Sequence, residues 1–272
     1  MSNLLALSSS LVWGVSDYVG GAITKRAPAQ VVVLWSQAIG FFVAIAGALV
    51  IGGHLGVSSA LWGAAAGVGG GVALVSFYQG LATGRMAVVA PVASLVGAGL
   101  PIVVGLALGE RPSPTTLAGI AVAIPAIWLV AGGEPGEGRA GIGLAIAAGV
   151  GFGVFFVFLG QTPEEAGLWP LVPARITSVT TMTAVTMATG VGFRIERRLY
   201  GGILVAGAGD MTANMLFLVA AQTGLLSVVS VLASLYPAIT VLLARIFGES
   251  VTRGQWFGVA MAMVAVGLIA IG

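Results

Sequence analysis

The second half of this chain repeats the first half in order. When Thr83-Gly84 is aligned with Thr223-Gly224, Ala93-Ser94-Leu95 falls on Ala233-Ser234-Leu235. Both copies are almost wholly apolar, and a duplicated apolar half is a common construction among secondary transporters. In the same alignment Val88-Val89 falls on Val228-Val229, and after a one-residue gap Gly109-Glu110 falls on Gly248-Glu249 and Gly119 on Gly258. Upstream, Trp13-Gly14-Val15 falls on Phe152-Gly153-Val154 and Gly21 on Gly160.

The composition is that of a membrane protein. Charged residues make up 7% of the chain and hydrophobic residues 58%, whereas soluble domains carry about 25% charged residues. With no cysteine and a single lysine, Lys25, the chain lacks the groups for Walker-type nucleotide binding, thiolate metal sites, disulfides or thiol catalysis. A formal net charge of +2 is too small to indicate binding to nucleic acid.

Charges, glycines and prolines divide the chain into ten apolar segments of about 20 residues, the length that crosses a bilayer core. We therefore predict an all-α integral membrane fold. The predicted helices cover residues 3–22, 31–51, 59–81, 86–108, 114–132, 140–160, 168–190, 200–222, 226–247 and 254–271.

The ten helices divide into two repeats of five, residues 1–133 and 134–272. Because each repeat has an odd number of helices, the second must enter the membrane inverted with respect to the first. Most basic residues lie in loops that would share one face of the membrane, which by the positive-inside rule favours both termini outside. Those residues are Lys25, Arg26, Arg85, Arg139, Arg194, Arg197, Arg198, Arg245 and Arg253.

Glycine and proline punctuate the predicted helices. Glycines spaced by four residues predict close helix packing. In the third helix, the glycine face also fits a surface that slides during transport. The glycines with this spacing are Gly63, Gly67 and Gly71, Gly105 and Gly109, and Gly149 and Gly153. Prolines remove a backbone donor and kink helices, and we predict kinks or hinges at Pro91, Pro101 and Pro237.

Three elements resemble the drug/metabolite transporter superfamily, in particular its ten-helix EamA-type members. They are the Trp13-Gly14-Val15-Ser16 start, the prolines Pro101 and Pro237 in the fourth and ninth helices, and a Gly-Glu turn with glycine about nine residues later in each copy. The resemblance covers essentially the whole chain. It implies an inverted-repeat carrier of small metabolites or drugs, commonly an exporter, with a central cavity between the halves and with cytoplasmic termini, opposite to the charge bias.

The chain departs from this pattern at one position. Many EamA-type repeats carry an arginine early in the second helix. The second copy has it as Arg175, whereas the aligned residue of the first copy is Ser36, followed by Gln37. A two-fold-symmetric role for that arginine is therefore not expected.

Three ionisable residues fall at membrane depth, where charge is costly and usually functional: Asp17, Arg175 and Asp210. Asp210 has Asn214 one turn away on the same face, a pair that fits a substrate ammonium, a bound proton, or simple helix packing. Asp17 is either a cavity residue or a carboxylate paired near the interface. Arg175 needs a carboxylate, carbonyls or substrate as its partner, and we favour an aspartate.

Aromatic and polar residues complete the predicted substrate pathway: Trp13, Ser16, Tyr78, Gln79 and Tyr236, with Asp17, Arg175, Asp210 and Asn214. Tyr78, Gln79 and Tyr236 lie in segments that, by the resemblance, line the cavity. His54 is predicted to be a solvated loop residue. No enzyme motif, metal site or cofactor motif is present.

The sequence therefore predicts a secondary transporter of the plasma membrane, the inner membrane in bacteria, that works by alternating access. An exporter of amino acids or aromatic and amphipathic metabolites is favoured. Proton antiport through Asp210 and uncoupled, channel-like uniport remain alternatives, as does a non-transporting sensor or helper subunit. The expected partners are a small-molecule substrate, the lipid bilayer and, in the coupled case, protons. A monomer and a homodimer are both open.

Overall fold

A computed structural model describes residues 1–83, 86–130, 141–246 and 252–272, and these residues form a helical bundle. Two single turns of 3₁₀ helix, Glu164–Ala166 and Arg197–Leu199, precede the seventh and eighth helices. The α-helices are α1 (Ser2–Thr24), α2 (Ala29–Ile51), α3 (Val57–Thr83), α4 (Met86–Ala107), α5 (Pro114–Val130), α6 (Ile142–Gly160), α7 (Leu171–Ala188), α8 (Tyr200–Thr223), α9 (Leu226–Ala233), α10 (Tyr236–Ile246) and α11 (Arg253–Ile271).

The predicted helices are found within a few residues of their expected limits, except in the ninth segment. There the prediction of one helix over 226–247 is wrong, because the chain leaves helical geometry at Ser234-Leu235 and resumes as α10. Pro237 is the second residue of α10, where its missing N–H removes no helical hydrogen bond. Pro91 and Pro101, in contrast, lie within α4.

Several predicted features lie outside the described residues. They are Arg85, the loop from Glu134 to Arg139, and the second Gly-Glu turn at Gly248-Glu249.

The surface of the bundle is apolar. Four described helical segments are long and apolar enough to cross a membrane: Ala29–Ile51, Val57–Thr83, Ile142–Gly160 and Arg197–Thr223. Large apolar side chains such as Phe42, Val103 and Met263 point outward with 65–69% exposure. Water would disfavour such a surface, whereas lipid chains accept it.

Helix packing has the symmetry expected of a repeat. The contact between α1 and α8 has its equivalent in the contact between α6 and α3. The contact between α2 and α8 likewise has its equivalent in the contact between α7 and α3. The pairs α2 with α7, α4 with α9, and α5 with α11 join helices of the same rank in each half. These principal contacts are therefore unchanged when the two halves are exchanged.

The symmetry extends to single contacts. A side chain at Gly14 would meet Ile239 and the carbonyl of Tyr236, and a side chain at Gly153 would meet Leu100 and the carbonyl of Gly97. Every residue of the second contact differs from its counterpart by 139 in number. The glycines Gly14 and Gly153 thus allow α1 and α6 to pack closely against the equivalent helices α10 and α4.

The glycine face of α3 is a close-packed contact with α7. A Cβ built on Gly67 would lie 2.0 Å from the carbonyl oxygen of Ala174, and one built on Gly63 would lie 2.2 Å from that of Pro170. Thr177 Oγ1 donates to the Ala64 carbonyl across the same contact, at 2.8 Å. The packing prediction for these glycines is confirmed.

Glu110, in the first Gly-Glu turn, connects the two halves. Its carboxylate accepts hydrogen bonds from the backbone N–H groups of Leu226 at 2.6 Å and Ser227 at 3.1 Å, at the start of α9. A carboxylate stabilises the free N–H groups and the positive end of a helix dipole. Glu110 therefore caps a helix of the other half, at the end of the bundle away from the basic loops.

Candidate functional site

A cavity lies at mid-depth in the bundle, between the two halves. The empty space in and around it is about 630 Å³ with open solvent counted, and its lining residues come from α1, α2, α3, α4, α6, α7, α8 and α10. Its wall is mainly apolar, with a polar cluster on one side. Such a composition suits a small organic ligand, because apolar walls provide binding energy and a few polar groups provide orientation.

An ion pair forms the centre of the polar cluster. Arg175 Nη2 lies 2.7 Å from Asp210 Oδ2, and the two side chains are 7% and 11% exposed. The predicted aspartate partner of Arg175 is thereby confirmed. The rest of the guanidinium is also engaged, since Nη1 donates to Gln37 Oε1 and Nε lies 3.1 Å from the Met211 sulfur.

Gln37 joins α2 to this cluster. Its amide oxygen accepts from Ser178 Oγ at 2.9 Å as well as from Arg175. The position of the first half equivalent to Arg175 is Ser36, and the next residue, Gln37, is the one that contacts the guanidinium. A single guanidinium in contact with an amide avoids the repulsion that two adjacent buried guanidinium groups would create.

Trp13 binds the other oxygen of Asp210. Its indole Nε1 donates to Asp210 Oδ1 at 3.1 Å. The indole ring also packs against Phe156 and Phe217, with ring centroids 5.6 and 5.9 Å away. Both oxygens of the Asp210 carboxylate are therefore occupied by protein donors.

Asn214 lines the cavity but does not bind the Asp210 carboxylate. Its Nδ2 donates to the backbone carbonyl of Asp210 at 2.6 Å, within α8.

Asp17 differs from Asp210 in its surroundings. It lines the cavity one turn beyond Trp13 on α1 and is 6% exposed. Among the described residues, no hydrogen-bond donor or cation lies within bonding distance of its carboxylate. A buried carboxylate without partners is costly unless a proton or a cation neutralises it.

The break between α9 and α10 forms another part of the wall. Ser94 Oγ donates to the carbonyl of Ser234 at this break, and both residues line the cavity. Tyr236 follows, its hydroxyl 3.3 Å from the Ala90 carbonyl. Helix breaks at membrane depth expose backbone groups to substrates in many carriers.

The structure brings six of the nine predicted pathway residues to the cavity wall: Trp13, Asp17, Arg175, Asp210, Asn214 and Tyr236. The other three lie elsewhere. Ser16 Oγ donates to the Val12 carbonyl within α1, at 2.9 Å. Tyr78 is fully buried with its hydroxyl against Gly20, and Gln79 is exposed.

Sequence reasoning missed several wall residues. Gln37 and Ser178 are polar residues inside apolar helices, a signal that was available. The aromatic residues Phe152, Phe155 and Phe156 share one face of α6 through their spacing of three and four. Ser94 and Ser234 occupy equivalent positions of the repeat, and the presence of a polar residue at both positions indicated that they line the cavity.

The described residues contain no group of three or more histidine, cysteine, aspartate or glutamate side chains placed to hold a metal ion. His54 is an exposed loop residue.

Comparison with known proteins decides the family. The model of the EamA-like transporter family matches residues 1–132 and again residues 139–271. The chain belongs to the EamA-like transporter family. It is therefore a membrane protein of the drug/metabolite transporter superfamily that moves small molecules across the bilayer.

The fold of this EamA-like transporter is shared by a solved structure described only as a crystal structure of a protein. The two superpose with a TM-score of 0.78 over 99% of this chain and 96% of the other, at 17% sequence identity. At that identity the likeness establishes the fold alone. None of the curated proteins matches the chain in sequence.

Proposed function

We propose that this EamA-like transporter exports small organic solutes, amino acids or aromatic and amphipathic metabolites, across the plasma membrane, the inner membrane in bacteria. The observation that carries the proposal is the cavity between the halves, which combines the Arg175–Asp210 pair with an aromatic wall. An ammonium or carboxylate group of the solute would meet the polar side. An apolar body would meet Phe152, Phe155 and Tyr236.

The proposed mechanism is alternating access, in which halves 1–133 and 134–272, inverted in the membrane, rock around the cavity. Exchange-symmetric helix packing supports this mechanism, because two equivalent halves can adopt each other's conformation. In the described conformation, Glu110 holds the halves together at one end of the bundle. Opening that end would release this contact.

Asp210 is better suited to orienting the solute than to carrying a coupling proton. Arg175 and Trp13 donate to its two oxygens and fix the orientation of the carboxylate. Proton antiport and uncoupled transport both remain compatible with this arrangement. The direct test is Asp210→Asn, because a coupling role requires that its rate and pH dependence differ from those of the wild type.

The experiment that tests the proposed function is transport in proteoliposomes. Purified protein would be reconstituted, and uptake and efflux of a labelled amino-acid panel would be followed with and without an imposed pH gradient. Saturable flux is expected. Acceleration by the gradient would indicate proton antiport, and indifference to it would indicate uniport. Linear, non-saturating flux would indicate a channel instead, and an absence of flux for amino acids, aromatic amines and drugs alike would contradict transport.

A further inference from the structure

The formal charges of the residues that line the cavity do not sum to zero. Among the described residues that line the cavity, the charged ones are Asp17, Arg175 and Asp210. The last two neutralise each other as an ion pair. The remaining carboxylate, that of Asp17, gives the wall one uncompensated negative charge whenever it is ionised.

Groups on the neighbouring helices do not remove this charge. Among the helices packed on α1, α8 contributes Asp210, α3 contributes Tyr78, and α10 contributes Tyr236. The helices α2 and α9 have no titratable side chain. Arg175, from α7, is bound to Asp210 and Gln37. No described neighbour thus supplies a free cation, and Asp210 adds repulsion.

Neutralisation must then come from a mobile species, since a bare buried carboxylate is strongly disfavoured. When the cavity is empty, that species is a proton. When it is occupied, a positively charged group of the solute can take the proton's place. Phe152, Phe155 and Tyr236 also line the cavity, and aromatic rings attract organic cations.

We propose that the cavity selects organic ammonium ions with an aromatic or apolar body, and that Asp17 is the carboxylate that receives the ammonium group in exchange for a proton. This inference rests on the proposed function, because it names the substrate class of the same cavity. One proton leaves Asp17 as one ammonium ion binds, so the charge of the cavity is unchanged. Because the proton and the ammonium ion compete for the same carboxylate, transport is an antiport that needs no second ion site.

Binding to the full-length protein in detergent micelles tests the proposal. Three probes share a phenyl ring and differ in charge: phenyltrimethylammonium, a permanent cation; phenylalanine, a zwitterion; and 3-phenylpropionate, an anion. Isothermal titration calorimetry in buffers of different ionisation enthalpy measures both affinity and proton release. We expect the cation to bind most tightly, to release up to one proton, and to bind more weakly as the pH falls, because protons then compete for Asp17.

Variants identify the carboxylate. Asp17→Asn should lower cation affinity at least tenfold and abolish proton release, whereas Asp17→Glu should retain both. Glu196→Gln is the matched control, because it removes a carboxylate that is 56% exposed and paired with Arg198 at the surface; its binding should equal that of the wild type. If Asp17→Asn does not fold, proton release by the wild type and by Asp17→Glu still decides the question.

Several results would overturn the inference. They are cation binding no tighter than anion binding, cation binding without proton release, and unchanged binding by Asp17→Asn. The proposed function would survive each of them if phenylalanine or another solute showed saturable counterflow in proteoliposomes. Failure of every solute in that assay would instead contradict the transport proposal itself.

Discussion

Ser94 and Ser234 occupy equivalent positions of the two repeats and are bonded to each other, with Ser94 Oγ donating to the Ser234 carbonyl. The bond is made at the break between α9 and α10, where the helical hydrogen-bond ladder is interrupted. Two symmetry-equivalent residues can touch only where they lie near the axis that relates the halves. The cavity therefore surrounds that axis.

Replacing Ser94 with alanine should destabilise the protein. The buried Ser234 carbonyl would lose its donor, a change that costs about 1–3 kcal/mol. Thermal unfolding in micelles, followed by tryptophan fluorescence, should show a lower midpoint. Thr212→Ala is the matched control, because Thr212 is exposed and donates to the Ala208 carbonyl of its own helix. Equal midpoints for the two variants would show that the Ser94 bond contributes nothing.

The Arg175–Asp210 pair should behave as a coupled unit. Arg175→Gln or Asp210→Asn alone leaves one buried charge without its partner, which typically costs about 3–5 kcal/mol. The double variant leaves two neutral amides that can bond to each other, so it should unfold at a higher temperature than either single variant. A double-mutant cycle measures the coupling. Additive effects of the two changes would contradict a direct interaction.

Gly67→Ala should separate α3 from α7. The added Cβ would lie 2.0 Å from the Ala174 carbonyl oxygen and 2.1 Å from Thr177 Oγ1, and the backbone carbonyl cannot move aside without shifting α7. We expect a strong loss of folded protein by size-exclusion chromatography. Gly143→Ala is the control, since nothing lies within 4 Å of the new Cβ and alanine favours helix by about 1 kcal/mol. Normal yield from both variants would contradict the close contact.

Removing Glu110 should change which end of the bundle is open. Glu110→Ala breaks the contact with the N–H groups of Leu226 and Ser227, while Glu110→Gln keeps an acceptor and loses the charge. Because the chain has no cysteine, Leu74→Cys in the cavity wall can report access to a membrane-impermeant maleimide from either side.

Labelling of Leu74→Cys should increase from the Glu110 side in the alanine variant, with a smaller change in the glutamine variant. Gly105→Ala provides an independent route to the same effect, because its Cβ would lie 2.4 Å from Glu110 Oε2 and displace the carboxylate. Identical labelling in all these proteins would show that the Glu110 contact does not control access.

The sequence predicted the limits of the helices better than it predicted which face of each helix points into the protein. Helix limits follow from apolar length and from charged loops, which are local properties. In a helix that is apolar all round, however, periodicity does not show which side faces the protein. Gln79 was therefore expected in the cavity and is exposed, while Gln37, not expected there, binds Arg175.

The choice between two aspartates also lay beyond the sequence. An aspartate partner for Arg175 was predictable, because a guanidinium at membrane depth requires one. Whether Asp17 or Asp210 would be chosen depends on how α1, α7 and α8 pack, since the two carboxylates are 193 positions apart in the chain and neither is adjacent to Arg175. The bond from Ser94 to the Ser234 carbonyl likewise depends on how the two halves pack.

The two repeats share a backbone plan but not the side chains that face the solute. Tyr236 stands where the first half has Gly97, and Asp17 stands where the second half has Phe156. A solute that arrives from one compartment therefore meets a different surface from one that arrives from the other, and its half-saturating concentration should differ between the two directions. Such a difference sets rates and not the final gradient, because a passive wall does no work; accumulation requires an energy source outside the cavity.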